Sequence, residues 1–274
     1  MTADVSRHYE QTGLLDRILA ALIEAGKDPD RLTIDDMSPI DEFHSRRRLA
    51  TEELARMLAP QAGDRVVDVG SGLGGPSRYL AQIYGCHVSG IDLTAEFVSV
   101  ATALTARVGL SERVDFRQGS AVDLPFPDAS FDCAWSQNVA MNIEDRPRYY
   151  AEMHRVLRPD GRLAIQDVAR GTGGALDFPV MWADRPEISF LHTPEETRAM
   201  LQAAGFRIEN WVDNTDAALA ETAAERARAT SGRTPPALGI NVVVGPSFRE
   251  KMRNGQRAME AGKTRLINVV AVRR

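Results

Sequence analysis

Apolar residues recur every three to four positions in the first sixty residues, which is the spacing of one buried helix face. This stripe predicts an amphipathic helix over residues 14–26, where Gly26 would end it, and a second helix over roughly 46–59, which ends at Pro60. The intervening residues 27–40 are rich in turn formers and are predicted to connect the two helices. The start of the chain is therefore expected to form a helical cover.

After residue 60 the period of the pattern changes, and short apolar, β-branched runs alternate with helical stretches. Such alternation predicts an α/β fold with a parallel sheet and right-handed crossovers. The predicted strands are 66–69, 87–91, 113–117, 131–136, 162–168, 206–212 and 266–272, and the predicted helices among them are 75–84, 95–108, 145–157 and 193–204.

Two stretches interrupt this alternation. Residues 169–192 carry three glycines and two prolines, and residues 214–263 separate the last two predicted strands. About fifty residues are too many for a plain connection, so the second stretch is expected to contain helices of its own. The sequence thus predicts an N-terminal helical cover, 1–59, and one domain, 60–274, with these two stretches as insertions that cover a substrate.

Composition sets broad limits. The chain has 274 residues, is 43% hydrophobic and carries a net charge of −5, as is usual for soluble globular proteins. It holds no apolar run of membrane-spanning length and no signal-peptide pattern at its start. Cys86 and Cys133 have neither zinc-ligand spacing nor enough partners for a disulfide framework. The acidic balance disfavours nucleic acid, so we expect a cytoplasmic protein that binds no metal, nucleic acid or membrane.

The most informative motif is a glycine-rich turn between a strand and a helix. Asp68 ends the strand, Gly70, Ser71 and Gly72 form the turn, and Asp92 ends the next strand, 22 residues after Gly70. Such a turn lets a ligand approach the backbone and the helix N-terminus closely, while the second carboxylate can accept both hydroxyls of a ribose. The alternative is that Asp92 merely caps the helix that follows.

The spacing of the glycines does not identify the ligand, because Gly70, Gly72 and Gly75 also satisfy the dinucleotide pattern. Asp68 favours a different ligand, since an acid against the turn would repel a pyrophosphate but suits an amino group and a sulfonium. The chain also lacks a Tyr-x-x-x-Lys pair and has only three lysines. A nicotinamide-dependent oxidoreductase is therefore the less favoured hypothesis.

Four segments carry the remaining signal of the sequence: VVDVGSGLGGPSRYLA, GIDLT, GSAVDLPFPDASFDCAWSQNVAMNI and HRVLRPDGRLAIQD. Together they resemble the class I S-adenosylmethionine-dependent methyltransferases, in particular the group with sarcosine/dimethylglycine N-methyltransferases and tocopherol and sugar O-methyltransferases. The resemblance is specific over residues 66–168. It implies a Rossmann-like, doubly wound sheet of seven strands, mostly parallel, whose last strand runs antiparallel.

The resemblance also implies which residues contact S-adenosylmethionine. Gln137 would lie where the cofactor meets the substrate, or else be a solvated loop amide. Many relatives have Asp at the position of Ser120, so the contact with the adenine amine would differ here. The other implied contacts are Asp68 beside the turn, Gly70, Ser71 and Gly72 at the methionine part, Asp92 at the ribose, and Leu93, Ser120 and Ala121 at the adenine.

Methyl transfer from a sulfonium is an in-line displacement, in which alignment alone can supply roughly 7–11 kcal/mol. A base is needed only when the nucleophile is protonated. Asn138 and Asn142 would share one face if their segment were helical. Several relatives carry an acid and a histidine at these positions, whereas both side chains are neutral here and cannot take a proton.

His44, just before the second predicted helix, is the best candidate for a base from elsewhere. Its alternative is a helix cap or a surface residue, and the other histidines are expected to be structural, apart from His8, which with Tyr9 is a candidate lid. The substrate wall is predicted at Phe43, Met141, Phe178 and Trp182, although Phe178 and Trp182 would serve equally to cap the core. Arg226, Arg228 and Arg233 are candidates for binding an anion, or lie on a solvated helix face.

These observations predict methyl transfer from S-adenosylmethionine to a nitrogen or oxygen of a small molecule, mainly through positioning. The alternatives are a methyltransferase-like fold that binds the nucleoside but performs other chemistry, as a cyclase or a scaffold, and the oxidoreductase considered above.

Overall fold

The computed structural model describes residues 13–229 and 238–274. His8, Tyr9 and Arg233 lie outside the described residues, as do the side chains of Arg226 and Arg228. The proposed roles of these five residues therefore stay predictions.

Seven strands form one sheet in the order β3-β2-β1-β4-β5-β7-β6. β7 runs antiparallel to both of its neighbours, and the other pairs are parallel. This confirms the predicted fold, including the antiparallel last strand. The strands are β1 (Arg65–Val69), β2 (His87–Asp92), β3 (Val114–Gln118), β4 (Phe131–Gln137), β5 (Leu157–Arg170), β6 (Phe206–Asp213) and β7 (Thr264–Arg273).

Helices pack on both faces of the sheet, as the crossover connections require. Two single turns of 3-10 helix, at Ala140–Asn142 and Pro186–Ile188, lie in the loops after β4 and β5. The α-helices are α1 (Leu14–Glu24), α2 (Ile34–Asp41), α3 (Arg47–Leu58), α4 (Gly75–Tyr84), α5 (Ala95–Arg107), α6 (Arg146–Val156), α7 (Pro194–Ala203), α8 (Thr215–Ala229), α9 (Asn241–Val244) and α10 (Phe248–Glu260).

Helix α2 corrects the prediction of a plain connection over 27–40. Thr33 caps this helix, because its side chain accepts from the Asp36 amide while the Asp36 carboxylate accepts from the Thr33 amide. The helix has only eight residues and contains Pro39, so its apolar period is too short to see in the sequence. The helices α8, α9 and α10 confirm that 214–263 contains helices of its own.

The strand order creates the site. The chain runs outward from β1 to β2 and β3, then returns to place β4 on the other side of β1. A crevice opens at the carboxyl ends of strands where the order reverses in this way. The start of β7 lies at the same edge, since Thr264 pairs with Arg170 at the end of β5.

A fully buried ion pair fixes the N-terminal helices over this edge. Nη2 of Arg78, in α4, is 2.7 Å from Oδ2 of Asp41, at the end of α2. The same Arg78 nitrogen donates to the Leu73 carbonyl, and Nη1 donates to Thr105 Oγ1. The cover is thus joined to the helix that the glycine-rich turn opens. None of the helices within 13–229 and 238–274 is long and apolar enough to cross a bilayer.

Candidate active site

The glycine-rich turn folds tightly against the loop that follows β4. Gly70 has φ +80°, and a Cβ there would lie 2.2 Å from Cγ2 of Val139. The amides of Gly70 and Ser71 both donate to the Ile91 carbonyl, at 2.7 and 3.0 Å. Only glycine satisfies both the backbone angle and the close approach, so the turn is held in a shape that leaves room for a ligand.

Asp92 joins this turn to the end of β2. Its Oδ2 accepts from the Gly72 amide and its Oδ1 from the Thr94 amide, both at 2.9 Å. The cap residue of the helix that follows is Thr94, and Asp92 accepts from the amide of that cap residue and not from the first turn of the helix. A carboxylate offers about four lone-pair sites, so two amide donors leave capacity for a diol. Burial raises the pKa of Asp92, although the hydrogen bonds from the two amides lower it in part.

Asp68 is buried at the end of β1 beneath the same turn. Its Oδ2 accepts from Oγ of Ser77, 2.5 Å away. Burial raises the pKa of Asp68 to about 7, and the neighbouring Asp92 charge adds to the rise while the Ser77 hydrogen bond opposes it. Oγ of Ser71, also buried, has no hydrogen-bond partner among the described residues. The turn therefore presents a carboxyl and a free hydroxyl to a ligand.

One cavity of about 790 Å³ connects these groups with the predicted catalytic residues. It runs from Asp92 at the end of β2 to Thr264 at the start of β7. These strands lie four positions apart in the sheet, which corresponds to about 19 Å at the usual strand spacing. A cavity of this size holds a drug-sized ligand with space left over.

All nine residues predicted to bind the cofactor line this cavity, as do the three predicted catalytic residues and three of the four predicted for the substrate wall. The exception is Phe178, which packs against a buried cluster around Val180 and Trp182. Phe178 thus follows the alternative given for it, a side chain that covers the core. The lining residues from the predictions are Asp68, Gly70, Ser71, Gly72, Asp92, Leu93, Ser120, Ala121, Gln137, His44, Asn138, Asn142, Phe43, Met141 and Trp182.

His44 projects into the cavity from the loop between α2 and α3. Its side chain is only 4% exposed, which excludes the surface alternative, and its Nε2 lies 2.9 Å from Oε2 of Glu42. Oγ1 of Thr51 lies 3.1 Å from the same nitrogen and donates to the same Glu42 oxygen at 2.6 Å. Nδ1 has only the Ser45 carbonyl nearby, at 3.3 Å.

Glu42 is a buried carboxylate that the sequence analysis did not single out. Its Oε1 lies 2.6 Å from Nε of Arg48, and its side chain is fully buried. Burial pushes the pKa of Glu42 upward, but the hydrogen bond and charge of His44 together with Arg48 and Thr51 lower it overall. Glu42 is therefore ionised and orients the His44 ring. The signal in the sequence was its place two residues before His44.

Gln137 continues this polar network into the sheet. It is 7% exposed, so it is not the solvated loop amide given as its alternative. Its Oε1 accepts from the Trp135 indole at 3.0 Å and from Thr51 at 3.2 Å, while its Nε2 donates to Oε1 of Gln166 at 2.9 Å. Because the indole only donates, Trp135 fixes the orientation of the amide.

The two asparagines do not share a helical face. Asn138 has φ +53° and precedes the single 3-10 turn, Ala140–Asn142. Nδ2 of Asn142 donates to the carbonyls of Trp182 and Ile188, at 2.8 and 3.1 Å, and so ties the cavity wall together. Nδ2 of Asn138 donates to Oγ of Ser45, and its buried Oδ1 has no hydrogen-bond partner among the described residues.

A buried arginine supports the same wall from behind. Arg146 donates to the carbonyls of Ala140 and Phe190, at 2.5 and 3.1 Å. Its Nη1 lies 3.6 Å from Oδ2 of Asp167, at the end of β5. Burial raises the pKa of Asp167 to about 6, against the opposing charge of Arg146. This pair lies outside the cavity lining and has a structural role.

Arg46 closes the far side of the cavity. It pairs with Glu53 of α3 and with Glu221 of α8, each at 2.6 Å. It thereby connects the N-terminal cover to the insertion between β6 and β7. Nothing in its local sequence predicted this contact, since Arg46 and Glu221 lie 175 positions apart.

Residues 67–165 match the family model described as a methyltransferase domain. The sequence is 38% identical to methyltransferase GfsG of Streptomyces halstedii over 171 residues, which are 62% of this chain and 59% of GfsG. These matches support the predicted class, the class I S-adenosylmethionine-dependent methyltransferases. The predicted family and the predicted cofactor, S-adenosylmethionine, are confirmed. The aligned part of this methyltransferase spans less than two thirds of the length of GfsG and of the next curated relatives.

Two solved structures share the fold of this methyltransferase. Geranyl diphosphate methyltransferase in complex with S-adenosylmethionine superposes with a TM-score of 0.65 at 22% identity, over 82% of this chain and 85% of the other. The cyclase SpnF superposes with a TM-score of 0.64 at 24% identity, over 96% of both chains.

Proposed function

We propose that this methyltransferase moves the methyl group of S-adenosylmethionine to an oxygen or nitrogen of a small molecule, with His44 as the base. The observation that carries the proposal is the single cavity that joins the glycine-rich turn and Asp92 to a histidine held by a buried carboxylate. The bound cofactor supplies an electrophilic methyl group that its own positive charge activates. The protein has to hold both partners in line and exclude water.

The turn and the end of β2 fit the cofactor. Gly70 lets the turn lie against Val139, where a Cβ would clash at 2.2 Å, and Ser71 offers a buried hydroxyl without a partner among the described residues. Asp92 retains acceptor capacity for the two ribose hydroxyls. Asp68 lies beneath the turn, where its carboxylate suits a cationic ligand. Leu93, Ser120 and Ala121 flank the same end of the cavity and would hold the adenine.

His44 is placed to take the proton of the acceptor. Glu42 accepts a hydrogen bond from Nε2 at 2.9 Å, and we assign the role of base to Nδ1, whose approach to the Ser45 carbonyl is longer, at 3.3 Å. The carboxylate then stabilises the imidazolium that forms when the proton arrives, as in other histidine–carboxylate pairs. Asn138 and Gln137 are amides, so they orient groups by hydrogen bonding and take no proton.

A second candidate function is another reaction on the same fold. It is supported by the likeness to the cyclase SpnF over nearly the whole chain and by the neutral side chains of Asn138 and Asn142. In that case the nucleoside would be bound and the methyl group would stay on it.

Binding and transfer can be measured separately. Calorimetry should show binding of S-adenosylmethionine and S-adenosylhomocysteine and none of nicotinamide cofactors. Incubation with methyl-labelled S-adenosylmethionine and a library of hydroxylated and amino compounds should then transfer label to an acceptor. Binding without transfer to any acceptor would favour the cyclase or scaffold hypothesis, whereas binding of a nicotinamide cofactor alone would refute methyl transfer.

A further inference from the structure

The acceptor end of the cavity has a wall of flexible apolar side chains. It lies beyond Gln137, over the end of β5 and the start of β7. Its lining comes from the loop after β4, from the 169–192 stretch and from the insertion between β6 and β7. Methionine dominates this wall, and methionine adapts to irregular apolar shapes. The apolar lining residues are Met141, Met181, Trp182, Phe190, Leu219, Ile240, Met252 and Met259.

The charged residues around this end are already neutralised or lie in water. Arg46 is paired with both Glu53 and Glu221, and Arg48 is paired with the buried Glu42. Arg47, Glu144 and Asp145 also line the cavity and are exposed to water. No lysine lines the cavity in the part of the chain that the structure describes. A charged acceptor would therefore lose its hydration here without finding an opposite charge, which is costly.

We propose that the acceptor is a bulky, uncharged and largely apolar alcohol. This rests on the methyl transfer proposed above and adds the class of substrate. The roughly 10 Å between β4 and β7 at the usual strand spacing suits a molecule much larger than a simple amino acid. An uncharged hydroxyl needs a base, which the His44–Glu42 pair supplies. The neutral polar groups of Asn138, Thr222 and Gln256 line the same cavity and would orient it without selecting a charge.

The test uses the full chain saturated with S-adenosylhomocysteine and three probes in calorimetry. Cyclododecanol represents the apolar alcohol, sarcosine a zwitterionic amine, and phosphoethanolamine an anionic one. We expect cyclododecanol to bind roughly tenfold or more tightly than either amine. The inference is overturned if an amine binds more tightly, or if cyclododecanol does not bind although S-adenosylhomocysteine does. Failure of S-adenosylhomocysteine to bind would instead contradict the proposed function.

A charge placed in the wall provides the matching mutational test. Met259→Glu should lower the affinity for cyclododecanol roughly tenfold or more while S-adenosylhomocysteine still binds, and Met259→Leu should retain the alcohol affinity. Met181→Glu repeats the test on a different segment, should Met259→Glu fail to fold. Ile83→Glu is the control, because Ile83 is 55% exposed on α4. Unchanged alcohol affinity in a folded glutamate variant would contradict the proposal.

Discussion

A buried carboxylate next to a histidine is the feature of individual residues that matters most for the chemistry. Glu42 is desolvated, yet His44, Arg48 and Thr51 all contact it, so its charge is retained. A buried charge held in this way has a fixed direction, and it holds Nε2 of His44 at 2.9 Å. The base proposed for this enzyme therefore depends on a neighbour in the sequence.

Glu42→Gln tests the charge of this side chain separately from its size. The amide keeps the size of the side chain but cannot stabilise the imidazolium, so we expect kcat to fall about 10²–10⁴-fold, the range of a general base. His44→Ala should lower kcat as far, and its pH–rate profile should lose the fall in rate toward acidic pH that protonation of the base causes. S-adenosylhomocysteine affinity, measured by calorimetry, should stay unchanged in both variants. Unchanged turnover and pH profile in His44→Ala would remove His44 from the mechanism.

Asp92→Ala should remove cofactor binding. The carboxylate organises Gly72 and would accept the ribose hydroxyls, and hydrogen bonds to a charged group contribute about 1.5–3 kcal/mol each. We therefore expect a loss of roughly a hundredfold or more in S-adenosylmethionine affinity, while circular dichroism shows a folded protein. Asp115→Ala is the matched control, since Asp115 is an exposed carboxylate on the adjacent strand. Near-native affinity in Asp92→Ala would show that the ribose site is elsewhere.

Local chemistry explains which site residues could be predicted. Gly70, Gly72 and Asp92 follow strands within a short stretch of sequence, so their spacing is enough to place them together. Glu42 stands two residues before His44, but nothing local shows that Thr51 and Arg48 contact it, so it was not singled out. The place of Phe178 stayed open between the cavity wall and the core for a related reason, since the sequence pattern of an apolar side chain is the same in both settings.

At the scale of elements, the contact between Arg46 and Glu221 joins two separate parts of the chain. Arg46 has φ +65°, in the left-handed region, just before α3, so the loop holds its side chain toward α8. Glu221 is 36% exposed, so water screens its charge. Arg46 is only 5% exposed, but it would keep Glu53 as its partner when Glu221 moves away. The contact is therefore suited to opening and closing with little cost.

Glu221→Gln should affect the acceptor more than the fold. We expect the Tm to change by no more than a few degrees, whereas the KM for the acceptor should rise several-fold because α8 is no longer tied to the cover. Glu209→Gln, which removes an exposed partner of Arg207, is the control and should change neither value. An unaltered acceptor KM in Glu221→Gln would show that the pair does not hold the insertion.

Helices and strands were predicted correctly where the apolar pattern extends over many residues, and one helix was missed where the pattern is short. The alternation after residue 60 predicted the strands and helices along the chain, and the resemblance predicted the antiparallel last strand. The position of β7 between β5 and β6 was not predicted. Helix α2 was missed because its eight residues include Pro39. Its contribution, the buried Asp41–Arg78 pair, depends on a packing partner 37 positions away.

For the whole molecule, buried carboxyls with raised pKa values make stability depend on pH. Burial raises the pKa of Asp68 from 3.8 to about 7 and that of Asp167 to about 6, and Asp41 and Asp92 shift in the same direction. As pH rises, these carboxyls keep their protons to a higher pH in the folded state than in the unfolded state. The free energy of unfolding should therefore fall as pH rises from about 4 to about 7.

Urea denaturation of the ligand-free protein at pH 5 and pH 7 measures this effect. At about 1.4 kcal/mol for each pKa unit, the decrease should reach several kcal/mol, and Asp68→Asn should reduce it. The lowered pKa of Glu42 makes the free energy of unfolding rise with pH, but only at pH values below the usual pKa of a glutamate. A free energy of unfolding that rises between pH 5 and pH 7 would contradict the prediction.

The cavity is closed strongly on the side of the glycine-rich turn and weakly on the far side, and this difference determines the order of binding and release. The cover over the turn is anchored by Arg78 and Asp41, both without solvent exposure, whereas the far side is closed by a pair that water reaches. Acceptors should therefore come and go through the far side while the nucleoside stays in place. Loading would begin with the nucleoside, and departure of its demethylated form would be the last and slowest event.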